Sequence, residues 1–273
     1  MNTVISNMNE RYAAAAFTAQ SKKFDELYSR NKIIDYKRER VRSHLKKFFQ
    51  SGDFILELNS GTGEDAIWLA RENCKVHATD ISTGMLETMQ QKIKNEGLEN
   101  LINLEICSFT ALENLQQKGP FDMIFSNFAG LNCTDELDKA LASFSVLSKP
   151  KGMVTLVILP KFCLWEFLLI FKGKFKTATR RLFSRKGEKA HVEGHYFKCW
   201  YYNPSYVIRY LKKDYDLLSV EGLCSLVPPS YIENFAEKYP RLFRVLKAIE
   251  DKWKGKWPWK YVGDYYIISM RKK

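Results

Sequence analysis

The sequence predicts an α/β fold: a doubly wound, mostly parallel sheet with a helical, lid-like insertion after its fifth strand. Three observations carry this expectation. Phe54-Ile55-Leu56 reads as a buried strand running into the turn Gly61-Thr62-Gly63 and then the helical Ala66-Ile67-Trp68-Leu69-Ala70. Val76-His77-Ala78-Thr79 reads as a second strand closed by Asp80. Strand and helix patterns then alternate as far as residue 159, which implies a parallel sheet covered on both faces.

Taken in order, residues 1–16 read as weakly ordered. Helical spacing begins in 17–28 and recurs in 33–49 (Ile33, Ile34, Tyr36, Val41, Leu45, Phe48, Phe49), stopping at Ser51-Gly52. Strands are expected at 53–58, 75–79, 101–107, 121–126 and 152–159, and helices at 64–73, 83–95 and 135–147. Ser82 ahead of Met85, Leu86 and Met89 is a helix cap, and Lys149-Pro150-Lys151-Gly152 is a turn. After Pro160 the rhythm breaks. An apolar run from Phe162 to Phe171, interrupted by Glu166, leads into the basic Lys172, Lys174, Lys176, Arg180, Arg181, Arg185, Lys186 and Lys189. That run is too short to span a bilayer. A helix at 204–213, a strand at 215–220, a second excursion over 228–259 and a last strand at 265–270 complete the chain. The organisation read from this is an N-terminal helical cap (1–52), a nucleoside-binding core (53–159), an insertion or lid (160–202) and a completing segment (203–273), one domain overall.

The glycine turn narrows the ligand. Its glycines let a ligand approach the backbone, and a strand-end acid accepts hydrogen bonds from a ribose. Gly61, Gly63 and Ala66 also fit the dinucleotide pattern of NAD enzymes, in which a pyrophosphate sits on the helix N-terminus. Here Glu64 and Asp65 hold the first helical positions and would repel phosphates. The bland alternative is that they merely complement the helix dipole. A phosphate-free nucleoside with a cationic centre suits the turn better, and Glu57 just before it is placed to take an ammonium. S-adenosylmethionine (SAM) is such a ligand.

Glu57 through Gly63, with His77-Ala78-Thr79-Asp80-Ile81-Ser82, resembles the first two motifs of the class I SAM-dependent methyltransferases, in their small-molecule or lipid-type branch. The family usually has glycine where this chain has Asn59, the residue that best tolerates a left-handed backbone after glycine. The resemblance covers about residues 17–159 well and the remainder more loosely. It implies a seven-stranded sheet ending in an antiparallel hairpin. It also implies a cofactor site at the strands' C-terminal ends, from Tyr28, Glu57, Asn59, Gly61, Gly63, Asp80, Ile81, Met85, Ser108, Phe109, Asn127 and Phe128. Ser108 stands where relatives often place an acid for the adenine amino group. Substrate contacts are expected from Leu131, Trp165, Arg180, Arg181 and Tyr196. Ser126-Asn127-Phe128-Ala129 departs from the Asn/Asp-Pro-Pro-Tyr/Phe signature of base-nitrogen and amide methyltransferases. Cys133 lacks the Pro-Cys context of a nucleophile, and no metal is expected.

Methyl transfer needs a base only for a hydroxyl, carbon-acid or protonated-amine acceptor. His195 and Tyr202 are the leading candidates, with His191, Glu193 and Tyr196 beside them, although a lone histidine is usually structural. The net charge of +12 admits nucleic acid, an anionic membrane face or plain solubility. Six scattered cysteines without a C-x-x-C pair read as free thiols, and no N-terminal stretch reads as a signal peptide, so a cytoplasmic protein is expected. The resulting expectation is a SAM-dependent methyltransferase acting on a small or lipid-like metabolite with an apolar body and an acidic group. No nucleic-acid partner is expected, and an anionic membrane is a peripheral partner. The alternatives are an RNA methyltransferase, favoured by charge alone, and a non-catalytic SAM-binding protein of the same fold.

Overall fold

The structure, a computed structural model, describes residues 7–232 and 234–273. Helices α1 (Met8–Ser29) and α2 (Lys32–Leu45) precede the sheet. There follow β1 (Phe54–Leu58), α3 (Glu64–Arg71), β2 (Lys75–Asp80), α4 (Thr83–Glu96), β3 (Ile102–Ile106), β4 (Phe121–Ser126), α5 (Leu137–Leu147) and β5 (Ser148–Ile158). The insertion holds the short helices α6 (Leu164–Phe167) and α7 (Phe175–Thr179), then a hairpin of β6 (Glu188–Val192) and β7 (His195–Cys199). The chain ends with α8 (Pro204–Leu211), β8 (Tyr215–Leu223), α9 (Phe235–Lys238), α10 (Pro240–Trp253) and β9 (Tyr265–Lys272).

The strands form one seven-stranded sheet in the order β3-β2-β1-β4-β5-β9-β8. The first five pair in parallel, and β9 runs antiparallel between β5 and β8. Alternation along β1 explains the two layers. Leu56 and Leu58 face the core shared with α5 and α8, whereas Ile55 faces the core shared with α2, α3 and α4. Among the described residues no helix is long and apolar enough to cross a membrane.

Three segments differ from expectation. The strand β5 begins at Ser148, so Lys149-Pro150-Lys151-Gly152, expected as a turn before it, lies within the strand, where its register against β4 shifts between Phe121 and Met123. Residues 8–16 are not weakly ordered but form the first half of α1 (residues 1–6 lie outside the described residues). The buried face of α1 is made of Glu10, Ala13, Ala14, Ala16, Gln20 and Ser21, small or polar groups that give little hydrophobic periodicity. The insertion, expected as helical, closes with β6 and β7. Their two-residue connection, Glu193 (φ 45°) and Gly194 (φ 81°), has the doubly positive φ of the primed turn that suits a hairpin. Glu-Gly is a weaker sequence signal for it than Asn-Gly. The hairpin docks on α1: the Lys198 N–H donates to Asn9 Oδ1 at 2.7 Å, and Phe17 packs on Phe197 with ring centroids 5.6 Å apart.

Candidate cofactor site

The C-terminal ends of β1, β2 and β4 converge on a cavity roofed by α1. Asn59, Gly61, Asp80, Ile81, Met85, Phe109, Asn127 and Phe128 line it, and α1 adds Ala13, Ala14, Phe17 and Phe24. Gly130 and Cys133 complete the wall. Eight of the twelve cofactor residues expected from sequence are thus brought together. Gly63 lies behind the cavity as the left-handed N-cap of α3 (φ 82°), where a Cβ would meet Met89 Cγ at 2.4 Å. Tyr28 stacks on Phe24 one helical turn beyond the roof, their centroids 4.6 Å apart. Ser108 faces α1, as described below.

Asn59 shows why its departure from glycine is tolerated. It takes the left-handed conformation (φ 47°), accepts from Ser126 Oγ at 2.6 Å and donates to the Asn127 carbonyl at 2.9 Å. The side chain therefore clasps the end of β4 to the glycine turn. Gly130 makes the close approach possible, since a Cβ there would lie 2.2 Å from Asn59 Cγ.

The turn's two glycine amides are already committed. The Gly61 N–H donates to Asp80 Oδ2 at 2.9 Å and the Gly63 N–H to the Ser60 carbonyl at 3.0 Å. A pyrophosphate needs such amides free. Nor does the start of α3 offer an uncompensated charge: Glu64 accepts from Lys92 Nζ at 2.5 Å, and Asp65 accepts from Arg42 and from Asn127. The site instead presents an apolar slot (Ile81, Met85, Phe109) with a carboxylate at its edge, which suits an adenosine without phosphates.

Asp80 is that carboxylate. Besides Gly61 it takes the Ser82 N–H on Oδ1 at 2.8 Å, and burial outweighs these bonds to push its carboxyl above the usual range. Asp80→Ala should weaken cofactor binding by about 1–3 kcal/mol, the scale of a charged hydrogen-bond partner removed from a buried site. Because the same carboxylate closes the turn, some stability should be lost as well. Asp80→Asn keeps an acceptor and separates the two effects. Calorimetry finding wild-type affinity in both variants would place the ribose elsewhere.

Glu57, on β1, is buried without lining the cavity itself, and its Oε2 has no hydrogen-bond partner among the described residues. Burial, reinforced by Asp65 and Asp80 and only partly offset by Arg42, pushes its carboxyl well above the usual range. An orphaned buried carboxylate fits a ligand that brings an ammonium. The sign follows from linkage: a raised carboxyl contributes stability below its ordinary pKa and loses it as pH rises through the raised value. A bound ammonium favours the ionised form, so binding should release a proton. Affinity should therefore climb as pH rises through the pKa of the free protein. Calorimetry in two buffers of different ionisation enthalpy reads the proton. The same release from Glu57→Gln would mean that another group supplies it.

Sequence reasoning missed Glu10. This α1 residue is fully buried, accepts from Thr110 Oγ1 at 2.8 Å and also from Ser108 Oγ, and its carboxyl is raised by burial despite those bonds. Ser108 thus holds the roof in place. The spacing Glu10, Ala13, Ala14, Phe17, Ser21, Phe24 follows one helical face and was the available signal.

The expected substrate and catalytic residues do not gather at this cavity. Leu131 is fully buried in the core beneath β5, and Trp165 is half-buried in α6. Arg180 and Arg181 both bind Glu166, and Arg181 also binds Asp264. Tyr196 is exposed and stacks on His191 with centroids 4.5 Å apart; His195 is exposed at the start of β7. Tyr202 is buried and donates to the Thr134 carbonyl at 2.5 Å. Cys133 does reach the cavity, where its hydrogen bond with the Cys199 thiol and burial keep it protonated, as packing rather than nucleophilic thiols are. Among the described residues no group of three or more His, Cys, Asp or Glu is placed to hold a metal ion.

Residues 55–152 match a methyltransferase-domain family. The chain is 30% identical over 149 residues to the ubiquinone/menaquinone biosynthesis C-methyltransferase UbiE of Francisella tularensis subsp. holarctica, covering 52% of this chain and 57% of that protein. It is 32% identical over 117 residues to the demethylmenaquinone methyltransferase of Lactobacillus johnsonii, covering 40% of this chain and 47% of that one. The chain therefore spans about half the length of the curated relatives it matches. The fold is that of the geranyl diphosphate C-methyltransferase from Streptomyces coelicolor A3(2), with a TM-score of 0.56 at 10% identity over 86% of this chain and 77% of that one. With its glycine turn, its strand-end Asp80 and the 3-2-1-4-5 parallel core, the chain has the fold of the class I SAM-dependent methyltransferases, and its residues 55–152 are similar to their methyltransferase domain.

Proposed function

We propose that this protein transfers the methyl group of SAM to carbon, or to another weak nucleophile, of a small lipid-like acceptor with an apolar body. One observation carries the cofactor half of this reading: the turn's two glycine amides are committed within the protein, while an apolar slot, Asp80 and the orphaned Glu57 remain for a phosphate-free cationic nucleoside. Bound SAM supplies an electrophilic methyl group. The chain's own work is then to align the acceptor and exclude water. Asp80 orients the ribose, Ile81, Met85 and Phe109 hold the base, and Phe17, Phe24 and Phe128 keep the cavity apolar.

The lipid-like acceptor is supported by that apolar lining and by the two relatives, both named for quinone methylation. An acidic group on the acceptor would not meet Arg180 or Arg181, which are spent on Glu166. Lys161, Arg185 and Arg209 are the basic residues left for it, around a cleft of about 530 Å³ between the insertion and α8.

The cofactor cavity itself encloses about 120 Å³, below the roughly 300–1,000 Å³ of small-molecule sites. The reading therefore includes a moving roof. α1 is held down by Glu10 on Ser108 and Thr110, by Thr18 on Ser82 at 2.8 Å, and by Asp25 on Thr62 and Lys92 at 2.6 and 3.0 Å. Each of these polar contacts contributes only about 0.5–1.5 kcal/mol net, and Ala13, Ala16 and Phe17 add apolar contacts with Cys133 and Phe197 that a moving roof must also give up or carry with it.

The deciding experiment has two parts. Calorimetry should show SAM and S-adenosylhomocysteine binding while NADH does not. Methyl-labelled SAM incubated with a lysate from cells lacking this protein should label an extractable, lipid-like product. Tighter binding of NADH than of S-adenosylhomocysteine would falsify the cofactor assignment; label found only in RNA would replace the acceptor class.

A further inference from the structure

Helix α10 has two faces that both want apolar surroundings, and only one has them. Phe243 and Leu246 turn inward against Ile33, Tyr36, Cys224, Val227 and Ala236. The outward face carries Leu242, Val245, Ile249 and Trp253, exposed by 48%, 53%, 39% and 40%, and the chain continues into Trp257, exposed by 79%. Their spacing of three, four and four residues makes one continuous stripe along the helix. Three exposed cations lie on or beside it, Arg241, Lys252 and Lys256, and none makes an ion pair among the described residues, whereas Arg244 lies on the opposite flank, in the groove towards α2. The helix's acids point elsewhere: Glu250 is buried, and Asp251 is paired with Lys254 at 2.5 Å.

The stripe's place in the fold matters equally. α10 belongs to the excursion between Leu223 and Tyr265, two residues paired with each other, and Tyr266 lies opposite Ile158 at the C-terminal end of β5. The excursion therefore rises from the same sheet edge as the cofactor cavity. The insertion, which follows β5 directly, rises from that edge too and exposes Phe171 by 84% and Phe183 by 79%.

We infer that the outward face of α10 docks on an anionic lipid bilayer and sets the cofactor edge against the membrane, from which an apolar acceptor enters. Charge complementarity selects this occupant. An apolar stripe flanked by unpaired cations and ending in tryptophans matches a surface with anionic head groups over hydrocarbon. A second copy is disfavoured, because a self-complementary pairing would bring Arg241 and Lys252 of both copies together. The docking rests on the lipid-like acceptor proposed above, yet its test does not use the acceptor.

The test is sedimentation of the full chain with phosphatidylcholine vesicles, with and without phosphatidylglycerol. Wild type should bind the anionic vesicles, weakly or not at all the neutral ones, and less at high salt. Val245→Glu with Ile249→Glu should lower the partition coefficient by about tenfold or more, and Arg241→Gln with Lys252→Gln should remove the preference for anionic lipid. Unchanged S-adenosylhomocysteine affinity shows that both variants are folded. Wild type that ignores anionic vesicles, or a stripe variant that binds as well as wild type, overturns the docking. So does a concentration-dependent dimer that the stripe variant abolishes, which would assign the face to a second copy. Labelled-methyl turnover on an extracted acceptor in detergent is read separately. Turnover without vesicle binding discards the docking and keeps the enzyme; vesicle binding without methyl transfer does the reverse.

Discussion

Arg181→Ala should cost about 3–5 kcal/mol of folding stability, the scale of breaking a buried ion pair by removing one partner. The guanidinium donates to Glu166 Oε1 through Nε and Nη2 at 3.0 and 2.7 Å, and to the Asp264 carboxylate and carbonyl at 2.7 and 2.9 Å. It also lies over the Tyr201 ring at 5.1 Å. Removing it strands Asp264 and leaves Glu166 to Arg180 alone, whose Nε and Nη2 reach it at 2.9 and 2.7 Å. The insertion would then lose its tie to the turn before β9, while the cofactor cavity, lined by other residues, should keep its affinity for S-adenosylhomocysteine. Burial alone would raise the Glu166 carboxyl, but the hydrogen bonds and charges of Arg180 and Arg181 outweigh it and hold the carboxyl below its usual range. Such a group contributes stability above its ordinary pKa and loses it as pH falls through the lowered value. Wild type should thus shed stability on acidification that Arg181→Ala has already lost. Urea midpoints at neutral and acid pH decide it. A variant with the wild-type midpoint would return Arg181 to the solvated surface.

That arginine also shows where the sequence stopped being legible. Its basic run looked like a surface for an anionic ligand, because nothing in residues 172–189 reveals that Glu166 and Asp264, one upstream and one far downstream, fold onto it. Ion-pair partners at long separation leave no local pattern. The parallel core was legible for the opposite reason. Ile55-Leu56, Val76 and Ile124 are buried on both faces, so each strand announces itself as an apolar run, and the observed strands lie within a few residues of those expected. The cofactor site was legible wherever it rests on the turn and strand ends, as Gly61, Asp80, Ile81 and Met85 do. It was hidden where α1 supplies the roof, since Ala13 and Ala14 pack through smallness and Glu10 through hydrogen bonds. Neither contributes to a hydrophobic pattern. His195 and Tyr202 are candidates by residue type and by their place in or just after an expected lid, and the fold leaves one exposed on a hairpin and spends the other's hydroxyl on the Thr134 carbonyl.

Glu250→Ala is expected to be at least as costly as Arg181→Ala, about 4 kcal/mol or more, because one carboxylate serves four donors. Its oxygens accept from the backbone N–H groups of Cys224, Leu226 and Val227, each at 2.8 Å, and from the Tyr36 hydroxyl at 3.0 Å. Each buried donor left unpaired costs about 1–3 kcal/mol. Arg40 would suffer next. Its guanidinium lies 3.6 Å from Glu250 and donates to Tyr36 at 2.9 Å, and with Glu250 gone only Glu221, at 3.5 Å, and the more exposed Asp251, at 3.9 Å, offset a buried cation. Folded domains hold only about 5–15 kcal/mol in total, so the variant should melt far below wild type or expose the 224–264 excursion locally. Native-state hydrogen exchange distinguishes these outcomes. Local opening would free the amides of Leu226 and Val227 while leaving those of β1 and β4 protected. Glu250→Gln keeps one acceptor oxygen and should fall between. The functional consequence follows from position. α10 is the helix that carries the outward apolar stripe, and Glu250 is what fastens it to α2 and to the end of β8. A locally opened Glu250→Ala protein should therefore keep its affinity for S-adenosylhomocysteine and lose its hold on anionic vesicles. Wild-type protection of the 224–227 amides in that variant would show that α10 is held by its apolar contacts instead.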